Sequence, residues 1–121
     1  MKIKKILIAE DEKPMANAME NKLTSEGYVV TTVGDGAQVL VELKKKKYDL
    51  LLLDLIMPIM DGFTVLEQMK AKKIKTPVIV LSNLGQEEDQ AKTKALGAKG
   101  YFIKSNISLS DIVEQIKKLK I

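Results

Sequence analysis

The chain has 121 residues, 45% of them hydrophobic and 30% charged, which predicts one soluble globular domain over residues 1–121. It contains 0 His and 0 Cys, which excludes imidazole bases, thiol nucleophiles, disulfides and metals held by thiolate or histidine. The net charge is +4, but all 20 basic residues are lysine and only 4% of residues are aromatic, so direct nucleic-acid binding is not expected.

The apolar runs are too short for a membrane span. Leu50–Leu53 and Val78–Leu81 fall far short of the roughly 20 residues that a transmembrane helix needs. The N-terminal apolar stretch Ile6–Ala9 stops at the acidic run Glu10–Glu12, so it predicts a strand rather than a signal peptide. We therefore expect a cytoplasmic protein without membrane contact.

Five short apolar runs predict five β-strands. In chain order they are Ile6–Ala9, Tyr28–Val33, Tyr48–Leu53, Pro77–Leu81 and Tyr101–Ile103. Their cores are almost continuous valine, isoleucine and leucine instead of an alternation of polar and apolar residues. That pattern is typical of parallel strands covered on both faces.

An amphipathic segment after each strand predicts a helix. The first helix carries Met15, Met19 and Leu23 at helical spacing, with Pro14 suited to its start and Gly27 to its end. The other four are predicted over about 37–47, 64–72, 86–96 and 109–120. The last one opens with Ser108-x-x-Asp111, a pattern that resembles a capping box.

The βα alternation, repeated five times, predicts an α/β fold. It implies a parallel sheet with right-handed crossovers and helices on both faces. In doubly wound sheets of this kind, functional residues lie beyond the carboxyl ends of the strands. This rule indicates where a site should be sought.

Polar residues directly follow the apolar runs at four predicted strand ends. They are Glu10, Asp11, Asp54, Ser82 and Lys104. Three carboxylates at one sheet edge repel one another, and the Lys104 ammonium or a divalent cation would offset that repulsion. A set of oxygen ligands with carboxylates is what Mg²⁺ prefers. The sequence therefore predicts a magnesium site at this edge.

A carboxylate at such a site can attack a phosphoryl group and form an aspartyl phosphate. Asp54 follows the central strand and is the predicted nucleophile, while Glu10 and Asp11 are better placed to hold the metal. Phosphoryl transfer needs mainly positioning and charge neutralisation. Mg²⁺, Lys104 and the Ser82 hydroxyl would each serve one phosphoryl oxygen.

These residues and one motif resemble the response-regulator receiver domain of two-component signalling. The motif is D-x-x-M-P-x-M-D-G, from Asp54 to Gly62, and Gly100–Lys104 also fits the family pattern. The resemblance covers essentially the whole chain. It implies a flavodoxin-like (βα)5 fold whose five-stranded parallel sheet has the order 2-1-3-4-5.

The resemblance also implies roles at the metal site. Asp54 would be the phosphoacceptor and would itself face the metal. Asp11 would be a direct Mg²⁺ ligand, Glu10 a ligand acting mainly through water, and the Ile56 carbonyl a backbone ligand. Lys104 would contact the phosphoryl group.

The same resemblance implies a switch and its partners. Ser82 and Tyr101 would respond to phosphorylation and reshape the face formed by helix 4, strand 5 and helix 5. Because the chain has no histidine, the donor would be another protein, namely a sensor histidine kinase or a histidine phosphotransfer protein, or else a small acyl phosphate. The switched face would bind an output protein or domain, or a second copy. No enzymatic activity is expected beyond self-phosphorylation from a donor and slow self-dephosphorylation.

Two positions depart from the usual family pattern, and two others bear on the rate of self-dephosphorylation. Ser105 stands where receivers usually have proline after a cis bond, so the Lys104–Ser105 bond is predicted to be either a strained cis bond or a trans bond in a differently shaped loop. Asn83 stands where a small Ala or Gly is commoner in the family, and its larger side chain would narrow the path by which a phosphoryl group reaches the site. Ile56 and Leu84 are apolar at positions that, in this family, tune the attack of water on the aspartyl phosphate. Their apolar character implies slow self-dephosphorylation.

Other functions were weighed against this one. A degenerate receiver that binds partners constitutively stays open because of Ser105 and Asn83. A phosphatase of the haloacid-dehalogenase type would need an acid where Ile56 stands. A flavodoxin-like electron carrier would need a hydroxyl- and glycine-rich loop where the acidic run Glu10–Glu12 lies.

Two charged features are given structural interpretations. Asp61 is predicted to cap a helix or to accept loop hydrogen bonds rather than to bind metal. The run Lys44–Lys47 is interpreted as a solvated helix end rather than a binding patch.

Overall fold

The structure is a computed structural model that describes residues 2–119. Strands and helices alternate along the chain. They are β1 (Lys5–Ala9), α1 (Lys13–Ser25), β2 (Val29–Val33), α2 (Gly36–Lys45), β3 (Leu50–Leu53), α3 (Gly62–Ala71), β4 (Val78–Ser82), α4 (Glu87–Ala95), β5 (Gly100–Ile103), a short 3₁₀ helix (Lys104–Asn106) and α5 (Leu109–Lys118). Lys120, the last residue of the helix predicted over 109–120, lies outside the described residues.

The sheet is parallel throughout and has the order β2-β1-β3-β4-β5. The α/β class, the five βα units and the strand order 2-1-3-4-5 are thereby confirmed. Strand order reverses between β1 and β3. In a doubly wound sheet this is where a crevice opens beyond the carboxyl ends of the strands.

The run Leu50–Leu53 in β3 shows why the central strands lack alternation. Leu50 and Leu52 pack in the layer beneath α1 and α5, while Leu51 and Leu53 pack in the layer beneath α2 and α3. All four side chains are buried. Because helices cover both faces of the sheet, every position of β3 is apolar.

Three helices begin with the capping expected of their sequences. Asp35 accepts a hydrogen bond from the Gln38 amide and starts α2, and Asp61 likewise accepts from the Thr64 amide at the start of α3. At α5, Ser108 and Asp111 form a reciprocal capping box. The predicted capping role of Asp61 and the capping box are both confirmed.

Two tyrosines predicted to lie in strands are outside them. The Tyr28 amide donates to the Leu23 carbonyl at 3.1 Å, so Tyr28 closes the end of α1, and β2 begins one residue later. Tyr48 precedes β3, and its hydroxyl donates to Glu42 Oε1 at 2.6 Å. Both residues belong to the connections because their polar groups bond to helices. Ser82, predicted to follow its strand, is instead the last residue of β4.

Helices α1, α3 and α4 end in the same hydrogen-bonded turn. In each, the amide of the second residue past the helix cap donates to the carbonyl five positions earlier, as in a Schellman motif. These bonds run from Tyr28 to Leu23, from Ile74 to Met69 and from Ala98 to Thr93, at 2.9 to 3.1 Å. The residue at positive φ is Gly27 after α1 and Gly97 after α4, but Lys73, with φ 57°, after α3.

Across residues 2–119, every helix lacks the combination of length and apolarity that crossing a membrane requires.

Candidate functional site

Three strand ends bring charged side chains to one edge of the sheet. Glu10 directly follows β1, Asp54 follows β3 and Lys104 follows β5. The Glu10 amide donates to the Val33 carbonyl at 3.0 Å, and the Asp54 amide donates to the Ala9 carbonyl at 3.1 Å. These bonds extend the strand ladders by one residue and fix both acidic residues to the sheet.

Three carboxylates form a compact cluster at this edge. Glu10, Asp11 and Asp54 each offer an oxygen within 4.8 Å of the others. Glu10 and Asp54 are only 3% and 5% exposed, whereas Asp11 faces solvent. The predicted convergence of these three residues is therefore present, with two of them buried and one open to an approaching ligand.

Lys104 is the cation of this cluster. Its Nζ donates to Asp54 Oδ2 at 2.8 Å and to Glu10 Oε1 at 2.5 Å, and lies 3.5 Å from Glu12 Oε1. Burial acts to lower the pKa of Lys104, but hydrogen bonds to Asp54 and Glu10 and the charges of these carboxylates outweigh it and raise the pKa to about 12. Lys104 is thus firmly charged.

The negative charge of Glu10 is incompletely compensated by its surroundings. Burial raises its pKa above the ordinary value, and the nearby charge of Asp54 acts in the same direction. Hydrogen bonds from Lys104 and from the Glu12 amide, at 3.1 Å, act in the opposite direction without cancelling the rise. The cause is that one ammonium serves two buried carboxylates, which leaves the cluster short of positive charge.

Asp54 has both carboxylate oxygens engaged. Lys104 binds Oδ2, and the Ile56 amide donates to Oδ1 at 3.2 Å. The Ile56 side chain is 56% exposed beside the cluster. The observed link between Ile56 and the site is therefore through its amide, while the ligand role of its carbonyl stays a prediction.

Gly62, the first residue of α3, packs directly behind Asp54. A β-carbon on Gly62 would lie 2.4 Å from the Asp54 carbonyl oxygen and 2.8 Å from Leu55 Cα. The Gly62 amide also donates to the Leu55 carbonyl at 2.9 Å. Because both obstacles are backbone atoms, only glycine permits this close approach of α3 to the end of β3.

Ser82 and Tyr101 both bond to Leu84. Ser82 is fully buried, and its Oγ accepts a hydrogen bond from the Leu84 amide at 3.4 Å. The Tyr101 hydroxyl donates to the Leu84 carbonyl. Burial and the negative charges of Asp89 and Asp54 raise the pKa of Tyr101. The two residues predicted to form a switch thus share one loop residue, Leu84, whose bonding to them the sequence did not indicate.

The residues that depart from the family pattern contact each other. The Ser105 amide donates to Asn83 Oδ1 at 3.2 Å and ties the loop after β4 to the turn after β5. Within residues 2–119 all peptide bonds are trans, including Lys104–Ser105. Of the two predicted geometries for that bond, the trans bond in a differently shaped loop is the one present, because Lys104 and Ser105 enter a 3₁₀ turn.

Glu12 approaches the same cluster, although its place there was not predicted from the sequence. Its carboxylate approaches Lys104 while its side chain remains 66% exposed. The only sequence signal was its place in the acidic run that follows β1.

The donor set fits a hard divalent cation. Glu10, Asp11 and Asp54 supply only oxygen atoms, and the shortage of positive charge favours a further cation beside Lys104. Mg²⁺ is such a cation. The residues that would hold it are the three clustered acids.

Comparison with known families and sequences gives a consistent result. The family model described as “Response regulator receiver domain” matches residues 6–117. The Bacillus subtilis “Alkaline phosphatase synthesis transcriptional regulatory protein PhoP” is 34% identical over 101 residues, which cover 84% of this chain and 42% of that protein. The “Cell cycle response regulator CtrA” of Brucella abortus is 35% identical over 100 residues, covering 83% and 43%. The chain thus spans about two fifths of the length of these relatives.

Solved structures share the fold closely. The Francisella response regulator 1452 receiver domain superposes with a TM-score of 0.89 at 29% identity, covering 94% of this chain and 93% of that one. The phosphorylated cyanobacterial phytochrome response regulator RcpA gives a TM-score of 0.81 at 31% identity, covering 95% and 89%.

Proposed function

Because this chain belongs to the response regulator receiver family, we propose that it is a phosphorylatable receiver of two-component signalling whose phosphoacceptor is Asp54. Receivers of this family are generally signalling modules rather than enzymes. The observation that carries the proposal is the buried Asp54 carboxylate, which bonds to the Lys104 ammonium and clusters with Glu10 and Asp11.

The transfer is a displacement at phosphorus. An Oδ atom of Asp54 forms the new P–O bond while the P–N bond of a phosphohistidine breaks, and the released imidazole takes up a proton. Lys104 already bonds to Asp54 and neutralises the charge that the phosphoryl oxygens bring. The Ile56 amide, which donates to Oδ1, keeps the carboxylate oriented during attack.

The metal site consists of Glu10, Asp11 and Asp54, with the Ile56 carbonyl as a proposed fourth ligand. When bound there, Mg²⁺ supplies positive charge to the transferring phosphoryl oxygens. Asp11 faces solvent and is the acid that an incoming cation meets first. Glu10 is buried and holds Lys104, so it controls how the two cations share the site.

The switch consists of Ser82 and Tyr101, linked through Leu84. In this proposal the Ser82 hydroxyl turns to the phosphoryl group and gives up its bond from the Leu84 amide. Movement of the Leu84 segment then releases the Tyr101 hydroxyl. Tyr101 lines a groove of about 470 Å³ between α4 and α5, so its release changes the shape of that face.

The partners follow from the same reasoning. The chain has 0 His and cannot carry its own phosphohistidine, so a sensor histidine kinase or a histidine phosphotransfer protein is the proposed donor. The groove between α4 and α5 is the proposed surface for an output protein or domain, or for homodimerisation. The relatives are named as a transcriptional regulatory protein and a cell cycle response regulator, and their additional length is where such an output element would lie.

A second candidate is a degenerate receiver that binds partners constitutively. The observation in its favour is the Asn83–Ser105 hydrogen bond, which fixes the loop that a switch would have to move.

Phosphorylation with acetyl phosphate and Mg²⁺ tests the proposal. We expect one phosphoryl group per chain, in a linkage cleaved by hydroxylamine, and no label on Asp54→Asn. Asp61→Asn is the matched control, because Asp61 is a nearby carboxylate that caps α3 and asparagine also caps helices. Label that persists on Asp54→Asn would contradict the assignment, and an unlabelled wild type would favour the degenerate receiver.

A phosphoryl mimic tests whether the site can bind the group at Asp54 without requiring the phosphoryl-transfer reaction. Beryllofluoride with Mg²⁺ should raise the melting temperature of the wild type because it binds only the native state. Asp54→Asn should show no such rise. An unchanged melting temperature of the wild type at millimolar ligand would indicate a site that no longer accepts the group.

A further inference from the structure

Eight exposed lysines form a surface at the edge of the sheet opposite the acid cluster. We call it the lysine surface. Its members are Lys44, Lys45, Lys46, Lys47, Lys70, Lys72, Lys73 and Lys75. They occupy the ends of α2 and α3 and the connections that lead into β3 and β4. Neither stretch, 44–47 or 70–75, contains an acidic residue.

The two halves of the lysine surface meet in space. Lys72 lies beside Lys44, and a hydrogen bond and the charge of that second amine lower the pKa of Lys72 below its usual value. Between residues 2 and 119, Lys45 is the one member with a carboxylate within 4.0 Å, Glu42 at 3.9 Å. The positive charge of this surface is therefore left largely uncompensated by the described part of the chain.

The backbone at Lys73 is a second, independent sign of function. Lys73 takes a φ of 57° at the position where the equivalent turns use Gly27 and Gly97. A left-handed conformation costs a residue with a side chain roughly 1–2 kcal/mol relative to the right-handed one. Residues kept in sparsely populated backbone regions occur preferentially at binding sites. The chain thus retains a lysine where glycine would fold better.

A groove of about 340 Å³ adjoins the lysine surface between α3 and α4. Lys70, Lys73 and Lys75 form its rim together with Lys99 on the opposite side. Its wall is apolar, and Ile74 and Leu96 are half-buried there. The groove therefore combines cationic rims with an apolar wall.

We infer that the lysine surface and this groove bind an acidic segment of another protein that also carries apolar residues. Carboxylates of the segment would pair with the lysine rims while an apolar side chain occupies the groove. Nucleic acid fits less well because lysine lacks the planar fork that reads bases, and the lining of the groove contains no aromatic ring on which a base could stack. This inference replaces the interpretation of Lys44–Lys47 as a merely solvated helix end.

The lysine surface is separate from the phosphorylation site. An experiment that contradicts peptide binding at this surface therefore leaves the proposed phosphorylation untouched, and the two failures can be told apart. Asp54 lies beyond the carboxyl end of β3, whereas Lys47 and Lys75 precede β3 and β4 at the opposite edge. The variants below keep the acid cluster of Glu10, Asp11 and Asp54 intact. Labelling by acetyl phosphate should therefore proceed at the wild-type rate in each of them.

Fluorescence anisotropy with a labelled synthetic peptide tests the inference. The peptide is glutamate-rich with leucines at i, i+3, i+4 and i+7, so that it forms an acidic amphipathic helix. We expect binding that weakens when salt rises from about 50 to about 300 mM, since surface charges become screened. Lys70→Gln/Lys75→Gln should weaken it about fivefold. Lys2→Gln/Lys13→Gln removes the same charge from exposed positions elsewhere and should leave it unchanged.

Four outcomes would overturn the inference. The first is absence of peptide binding at about 50 mM salt, and the second is equal weakening by both double variants, which would indicate attraction by net charge alone. The third is tighter binding to a random-sequence DNA duplex or to phosphatidylserine vesicles through the same lysines. A leucine-free glutamate peptide that binds as well would likewise remove the apolar groove from the site.

Discussion

The Lys104 ammonium donates a 2.8 Å hydrogen bond to Oδ2 of Asp54 and thereby joins the end of β5 to the end of β3 across β4. The same ammonium bonds to Glu10, which follows β1. One side chain therefore links three strand ends and compensates two buried carboxylates. Its removal has consequences for stability as well as for phosphoryl transfer.

We predict that Lys104→Met lowers the free energy of unfolding by about 3 kcal/mol without divalent cation, because it leaves buried carboxylates unpaired. Mg²⁺ should restore more stability to this variant than to the wild type, since a bound cation replaces the missing charge in the native state. Urea unfolding with and without Mg²⁺ measures both effects.

Lys104→Arg is the control because it keeps the charge, and its response to Mg²⁺ should resemble that of the wild type. Equal stabilisation of Lys104→Met and the wild type by Mg²⁺ would show that the lysine and the metal do not share these carboxylates.

Gly62→Ala should cost about 2–3 kcal/mol, because its β-carbon would overlap backbone atoms of Asp54 and Leu55. Gly34→Ala is the matched control, since an added β-carbon there meets nothing within 4 Å and φ lies outside the left-handed region. Chemical denaturation should find this control close to the wild type. Similar losses at both glycines would contradict the tight contact behind Asp54.

Lys73→Gly should raise the free energy of unfolding by about 1 kcal/mol, because glycine adopts the φ of 57° at this position without steric cost. Lys72→Gly, one residue earlier at φ −91°, should instead lower it. Thermal or urea unfolding of the two variants gives the comparison. A loss of stability in Lys73→Gly would mean that the lysine side chain contributes more than its backbone conformation costs.

Asp49 should contribute stability that depends on pH. Its Oδ2 accepts hydrogen bonds from the Lys4 and Lys5 amides, both at 2.9 Å, and these bonds lower the pKa of Asp49. For a lowered carboxyl pKa, the stabilisation is present above the ordinary value near 3.8 and is lost as pH falls through the folded value.

Asp49→Asn should therefore be less stable than the wild type by about 1 kcal/mol at pH 7, and the difference should shrink as pH falls below the ordinary carboxyl value near 3.8 and through the lowered folded value. Urea unfolding across that range measures it. A difference that stays constant with pH would show that the carboxylate charge has no part in holding the start of β1.

Sequence patterns were sufficient for the element order and for the meeting of Glu10, Asp54 and Lys104. Both follow from parallel topology, which brings every carboxyl strand end to one edge whatever the detailed packing. Ser82 was expected at this edge for the same reason, whereas the role of Tyr101 rested on the family resemblance alone. Their shared bonding to the Leu84 backbone could not be foreseen, because it depends on how one loop folds back.

The remaining misses have local physical causes. Tyr28 and Tyr48 carry strand-favouring side chains, but hydrogen bonds to neighbouring helices place them in connections. Glu12 reaches Lys104 only because the chain turns into α1 at that point. The left-handed backbone of Lys73 leaves no trace in the sequence, since lysine gives no indication of positive φ.

The acid cluster and the lysine surface lie at opposite ends of the strands, so the molecule carries a permanent dipole along the sheet. Its net charge of +4 therefore misrepresents what an approaching protein encounters. A positively charged face of a partner is attracted to the end of the sheet that carries the acid cluster, although the net positive charge of the receiver repels that partner. Orientation in the encounter complex is thus set before any side chains touch, and added salt weakens that orienting torque.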